Sequence, residues 1–325
     1  MLQYIIRRLL YAIPLLIAVN ILTFVLFFVV NSPDDMARMQ LGQKRVTEQA
    51  ISNWKHQHGY DLPLLMNHEQ AGVKQFTETI FYQKSVNLFW FDFGISDSGR
   101  NIGSDISQRM WPSLALALPS LLLGLLVNIS LALLIVFYRA TRTELTANVV
   151  LVVLMSVSSL FYIIAGQFLI ARILRWVPIS GYDLGWSGLK FLILPVMISV
   201  ISGIGSGVRW YRSLFLEEVE RDYVRTARSK GLDETRILFK HVLRNALIPI
   251  LTGVVVVLPL LFMGSLIMES FFSIPGLGSY TIDAINRQDF AIVRSMVFLG
   301  SVLYILGLLL TDISYTLVDP RVRLS

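Results

Sequence analysis

The chain has 325 residues, 54% of them hydrophobic and only 15% charged, with a mean hydropathy of +0.63. Soluble domains carry roughly 25% charged residues, so an ordinary soluble fold is excluded and an integral membrane protein is indicated. The absence of cysteine excludes disulfides, zinc-thiolate sites and thiol catalysis, and in a membrane protein the net charge of +6 speaks to sidedness rather than to nucleic acid.

Arg7 and Arg8 precede an uncharged run at 9–30. A cleaved signal peptide has an apolar core of only about 7–15 residues, whereas this run has about the 20 that a bilayer requires, so it reads as a retained first span with Pro14 as a kink. Segment 31–112 is polar and rich in turn residues, among them Ser32, Pro33, Gly59 and Gly94. It is expected to form a small extracytoplasmic lobe with Phe89, Trp90, Phe91 and Phe93 at headgroup level. His56, His58 and His68 are loosely spaced and read as polar loop surface rather than a metal cluster.

Apolar runs at 113–137, 147–171, 191–208, 246–268 and 292–310 complete six expected spans, with ionisable residues expected only at their ends. The fold class is therefore all-α and polytopic. Arg7, Arg8, Arg139, Arg142, the bases of segment 217–249, Arg321 and Arg323 fall on one side, which the positive-inside rule makes cytoplasmic, together with both termini. Arg172, Arg175 and Lys190 count against this but are outweighed. The organisation is then a first segment and span at 1–30, the lobe at 31–112, a core at 113–318 with a cytoplasmic loop at 209–245, and a tail at 319–325.

A membrane interior without ionisable groups argues against a proton- or sodium-driven carrier, which commonly keeps such groups near the midplane. All four histidines lie outside the runs, which argues against intramembrane catalysis. Ser202-Gly203-Ile204-Gly205-Ser206-Gly207 lacks the Lys-Ser/Thr of a phosphate loop and reads as helix packing or a hinge, and no Walker A sequence occurs. The chain is thus expected to bind no cofactor or metal, and if ATP powers it, another subunit hydrolyses the ATP. A channel, a secondary carrier and a scaffold remain as alternatives. Asn128, Ser159, Gln167, Ser199 and Ser202 are uncharged polar groups suited to lining a cargo path, though each would equally serve helix packing.

Segment 217–249 is a charged island between apolar runs. Glu217, Glu218 and Glu220 come early and Arg225, Arg228 and Lys230 late, an order that suits a helix over 217–230. Gly231 is suited to end that helix in the left-handed conformation, and Asp233 to cap a second one running towards Lys240, His241 and Arg244. A rigid helix-Gly-helix elbow of this kind can carry motion from a soluble partner to the adjoining spans.

The run Asp222-Tyr223-Val224-Arg225-Thr226-Ala227-Arg228-Ser229-Lys230-Gly231-Leu232, continued by His241-Val242-Leu243-Arg244-Asn245-Ala246-Leu247-Ile248-Pro249, resembles the cytoplasmic signature loop of ABC-type peptide permeases. Further landmarks are Tyr4-Ile5-Ile6-Arg7-Arg8-Leu9-Leu10, Asp92-Phe93-Gly94-Ile95-Ser96, Trp176-Val177-Pro178-Ile179-Ser180-Gly181, Glu269-Ser270-Phe271-Phe272-Ser273-Ile274-Pro275-Gly276-Leu277-Gly278, Arg287-Gln288-Asp289-Phe290, and the tail from Asp312-Ile313-Ser314-Tyr315 through Asp319-Pro320-Arg321. The chain departs from the family after the first span, where Asn31-Ser32-Pro33-Asp34-Asp35 replaces the common Pro-Gly-Asp-Pro. The resemblance implies that Asp222 to Leu232 form a coupling helix and its end, docking on an ATPase. It also implies a second homologous permease, two ATPase subunits or domains holding ATP and magnesium, an extracytoplasmic solute-binding protein, and import of peptides or peptide-like solutes across a bacterial cytoplasmic membrane.

Overall fold

The computed structural model describes residues 2–42, 46–183 and 185–318. The expected cytoplasmic tail at 319–325, with Asp319-Pro320-Arg321 and Arg323, lies outside the described residues. The chain divides into two compact units, one of Met1–Arg109 with Tyr280–Leu309, the other of Met110–Ser279 with the residues that follow Leu309.

In the first unit, helix α1 (Leu2–Phe24) passes into a π-helical turn (Val25–Val30). The segment at 31–112, expected to form a lobe rich in turn residues, is built of short helices whose ends several of those residues cap. Ser32 accepts from the Asp35 amide at 3.2 Å while the Asp35 carboxylate accepts from the Ser32 amide at 3.2 Å, a reciprocal cap that opens α2 (Pro33–Leu41). Thr47 opens α3 (Glu48–His58), and Gly59, at φ +66°, closes it. Two short helices follow, α4 (Lys74–Thr77) and α5 (Ile80–Lys84). Phe24, Phe28, Met36, Ile51, Trp54, Tyr60 and Ile80 form a core that Phe290 also packs against. Of the four aromatics expected at the headgroups, Phe93 is buried and Phe89 packs on Phe298 at 5.3 Å, which leaves Trp90 and Phe91 exposed.

Helix α6 (Ile102–Phe137) begins within the first unit and supplies the second from Met110 onward. There α7 (Arg142–Ser156), α8 (Ser159–Gly166), α9 (Leu189–Val219), α10 (Asp222–Ser229), α11 (Glu234–Ile237), α12 (Leu243–Val257) and α13 (Leu266–Phe272) follow. Helices α14 (Leu277–Arg287) and α15 (Phe290–Val318) end the described chain.

Among the described residues, five helical runs are long and apolar enough to cross a membrane: Ile6–Val30, Ile102–Phe137, Trp186–Val219, Glu234–Met263 and Phe290–Ser314. A pair bent by 87°, Arg142–Ser156 and Ser159–Ile173, makes a sixth when taken as one span. The straight span expected at 147–171 is therefore broken. Val157 is extended (φ −87°, ψ 129°), and Ser158 starts a new helix by accepting from the Leu160 amide at 3.3 Å. The span expected at 246–268 is likewise cut at Gly264, whose φ is +69°.

The expectation of spans charged only at their ends is corrected as well. The helices outrun the apolar runs, so the Trp186–Val219 span includes Arg209 and Arg212, while Arg294 stands inside the run at 292–310 itself and is buried, 3% exposed, in Phe290–Ser314. A single arginine in a strongly apolar window does not lower the mean enough to show. The glycine run serves packing: a Cβ at Gly205 would stand 2.9 Å from the Met155 amide nitrogen, and one at Gly207 would strike the Asn128 side chain. Helix α9 thus lies close against α7 and α6, and Arg212 pairs with Glu144 of α7.

Candidate coupling loop and membrane groove

The expected helix over 217–230 is two helices. α9 runs to Val219, Arg221 is extended (φ −67°, ψ 149°), and α10 starts at Asp222. Glu217 and Glu218 therefore sit at a helix C-terminus, against the dipole. They are held there by Arg221, 3.0 Å from Glu217, and by the Tyr223 hydroxyl, which donates to Glu218 at 2.5 Å. Burial and the bond to that carboxylate push the Tyr223 phenol up to about 12.

Helix α10 has two faces. Val224 and Ala227 are buried in one core cluster with Phe215 and Val219 of α9, Leu133 and Val136 of α6, and Ile237 and Val242. At 25 cal/mol per Å2 of apolar surface, such burial stabilises by about 1.5–3 kcal/mol for a valine side chain. These two residues hold the helix in place and are buried within this chain. Asp222, Arg225, Thr226 and Lys230 are exposed, and Tyr223, Arg228 and Leu232 half-buried.

The turn closes as expected. Gly231, at φ +76°, donates its N–H to the Arg228 carbonyl (2.9 Å), and Leu232 donates to the Ala227 carbonyl (3.3 Å), the paired bonds of a Schellman cap. Arg228 Nε bonds Glu234 Oε1 at 2.7 Å across the turn, and Asp233 accepts from the Thr235 amide at 3.1 Å to start α11. The second arm is not a separate helix. α11 passes through a π-helical turn (Leu238–Val242) directly into α12, so it is continuous with the span Glu234–Met263.

Within the same unit, a groove of about 440 Å3 runs between α6, α9 and the end of α12. Of the expected path-lining residues it brings together Asn128 and Ser199, beside Ser120, Tyr211 and Ser265. The others stand elsewhere. Ser202 bonds the Ser199 carbonyl (3.1 Å), Ser159 is exposed in the first turn of α8, and Gln167 donates to the carbonyls of Ile179 (3.2 Å) and Phe271 (3.1 Å). Gln167 is thus a pin between backbone segments.

Residues 131–324 match the family described as binding-protein-dependent transport system inner membrane component, and residues 1–98 match the N-terminal region of such membrane components. The chain belongs to this family. It is a multi-pass permease component of an ABC-type transport system. A Brucella abortus (strain 2308) protein, provisionally named a peptide transport system permease protein, is 34% identical over 98% of both chains. The glutathione transport system permease protein GsiC of Shigella flexneri serotype 5b is 31% identical over 99% of both. The oligopeptide transport system permease protein AppB of Bacillus subtilis (strain 168) is 28% identical over 99% of this chain and all of AppB.

Two features of the permease escaped the sequence reading. Glu269 is completely buried, and its carboxylate accepts from the amides of Ser265 (3.1 Å) and Ser279 (3.0 Å), with further hydrogen bonds from Ser113 and Gly278. It therefore closes the N-termini of α13 and α14 together, where helix dipoles favour negative charge. Burial still pushes its carboxyl above the usual range, against those bonds. A Cβ at Gly264 or Gly276 would collide with this carboxylate, which explains both glycines. The glutamate and the glycines were visible as a motif, but not which groups they join.

The second feature lies in the first unit. Asp97 and Asp289 meet there, the Asp97 amide donating to Asp289 Oδ2 at 3.0 Å. Gln40 Nε2 bridges Asp97 Oδ2 (3.4 Å) and the carbonyls of Arg287 and Gln288 (both 3.1 Å). His58 faces Asp97 at 3.9 Å. Burial first, and then the neighbouring Asp289, push Asp97 up to about 6. Only proximity in the fold creates this pair, since 192 residues separate its members.

Proposed function

We propose that this permease pairs with a second homologous permease to form a passage through which peptides or peptide-like solutes are imported. An extracytoplasmic solute-binding protein delivers the cargo, and two cytoplasmic ATPase subunits or domains, holding ATP and magnesium, drive the cycle. Both termini lie on the ATPase side. The observation that carries the reading is the build of the 222–232 loop: a capped helix, anchored inward by Val224 and Ala227, presents Asp222, Arg225, Thr226 and Lys230 outward, while its far arm runs unbroken into a span. Closure of a partner on that face would move the span with it. The names of the relatives, covering peptide, oligopeptide and glutathione transport, support a peptide cargo.

The test is purification of the assembled complex. The ATPase is expected to copurify with the wild-type chain and to be lost when Arg225 and Lys230 are both replaced by glutamate, with the altered permease still inserted. Full ATPase retention in that variant would remove the docking face from α10.

A further inference from the structure

The groove between α6, α9 and α12 contains a polar side chain with nothing to bind. Asn128 is 9% exposed and its Oδ1 is buried without a partner among the described residues. Other hydroxyls nearby have found backbone acceptors, Ser120 on Leu116 at 2.8 Å and Ser202 on Ser199. An unpaired amide away from water costs about 1–3 kcal/mol, and no contact within the fold offsets it.

Two glycines bear on the same space. A Cβ at Gly205 or Gly207 would strike a neighbouring helix, whereas one at Gly124 or Gly203 would meet nothing within 4 Å, and Gly124 and Gly203 both line the groove. Each sits inside a helix, where glycine gives up roughly 1 kcal/mol relative to alanine. Packing does not require either. What they provide is bare main chain and open width along the groove. The groove lining carries no charged residue, and its volume of about 440 Å3 falls within the range of small-ligand sites.

We infer that this groove is a cargo-contact surface that seats the main chain of an extended peptide, with Asn128 hydrogen-bonding a peptide group and Gly124 and Gly203 setting the bore. This rests on the peptide-import reading above and adds to it which residues touch the cargo. A neutral amide pairs with any peptide unit whatever its side chain, and an uncharged wall neither attracts nor repels charged cargo side chains.

The experiment uses the full transporter, reconstituted with companion permease, ATPase and binding protein, and a tripeptide as probe. Gly203→Leu and Gly124→Leu should leave copurification of the partner subunits unchanged and cut uptake at least about tenfold. Asn128→Leu should weaken uptake about 5–10-fold, the loss of one hydrogen bond. Because the chain has no cysteine, Gly203→Cys provides a single thiol in open space, and excess tripeptide under turnover should slow its modification. Normal uptake in all three leucine variants, or thiol labelling indifferent to peptide, overturns the inference. So does loss of the companion permease from Asn128→Leu with normal uptake per assembled complex, which would make the groove a seat for that subunit. No peptide uptake by the unaltered complex would overturn the import reading and this inference together, whereas failure of the variants to respond overturns the inference alone.

Discussion

Gly231 sits at φ +76°, yet a Cβ there would touch nothing. Its constraint is conformational, costing an L-residue roughly 1–2 kcal/mol, and not steric. Gly231→Val should therefore loosen the α10 cap and lower peptide uptake per ATP hydrolysed, while Gly231→Asn, which tolerates the left-handed region, keeps most of the coupling. Equal coupling in both variants would show that the cap has no part in it. Asp97 is a residue of another kind, an acid held protonated to about pH 6 by burial and by Asp289, against the opposing charges of His58, Lys84 and Arg294. Between 3.8 and about 6 the folded unit binds a proton that the unfolded chain releases, so stability is highest at the acid end of that window and falls as pH rises through it. Amide-exchange protection of segment 86–101, corrected for intrinsic exchange, should decline from pH 4 to pH 6 in the wild type and stay flatter in Asp97→Asn. A wild-type profile as flat as the variant's would contradict the assignment.

At the scale of elements, α10 and the α13–α14 junction make opposite demands on substitution. Val224→Asp places a carboxylate in a fully buried position, and it should unseat α10 and lower the thermal stability of the complex by several °C. Arg225→Glu, on the exposed face, should leave stability unchanged. Glu269→Gln turns an amide donor towards backbone donors and should destabilise by about 1–3 kcal/mol, read as a lower unfolding midpoint; an unchanged midpoint would deny the buried clamp its role. Much of the loop was legible in the sequence, because Gly231 and Asp233 are residues whose local chemistry dictates a cap. The breaks at Arg221, Val157 and Gly264 were not. A hydropathy run records apolar content and is blind to one extended residue, and Glu217 and Glu218, whose charge suits the opening of a helix, end one because Arg221 and Tyr223 bind them. Of the groove, the sequence offered Asn128 and Ser199 as polar candidates but had no means of separating them from Gln167, whose partners lie 12 and 104 residues away.

For the whole molecule, the decisive property is that the loop and a span are one piece. α11 continues through the Leu238–Val242 turn into α12, and Val257 and Leu260 at the far end of that run line the groove. In the coupling proposed above, a push on α10 would pass across the Arg228–Glu234 bridge and the shared core into a continuous helical run that ends at the groove wall. The most direct measurement uses the cysteine-free chain with a single cysteine at Lys230, cross-linked to the ATPase subunit in the reconstituted transporter. The account predicts a cross-link whose yield changes between the nucleotide-free and ATP-bound states and which, once formed, arrests peptide uptake. A cross-link that forms equally in every nucleotide state and leaves uptake intact, or none from Lys230 at all in an active complex, would contradict it.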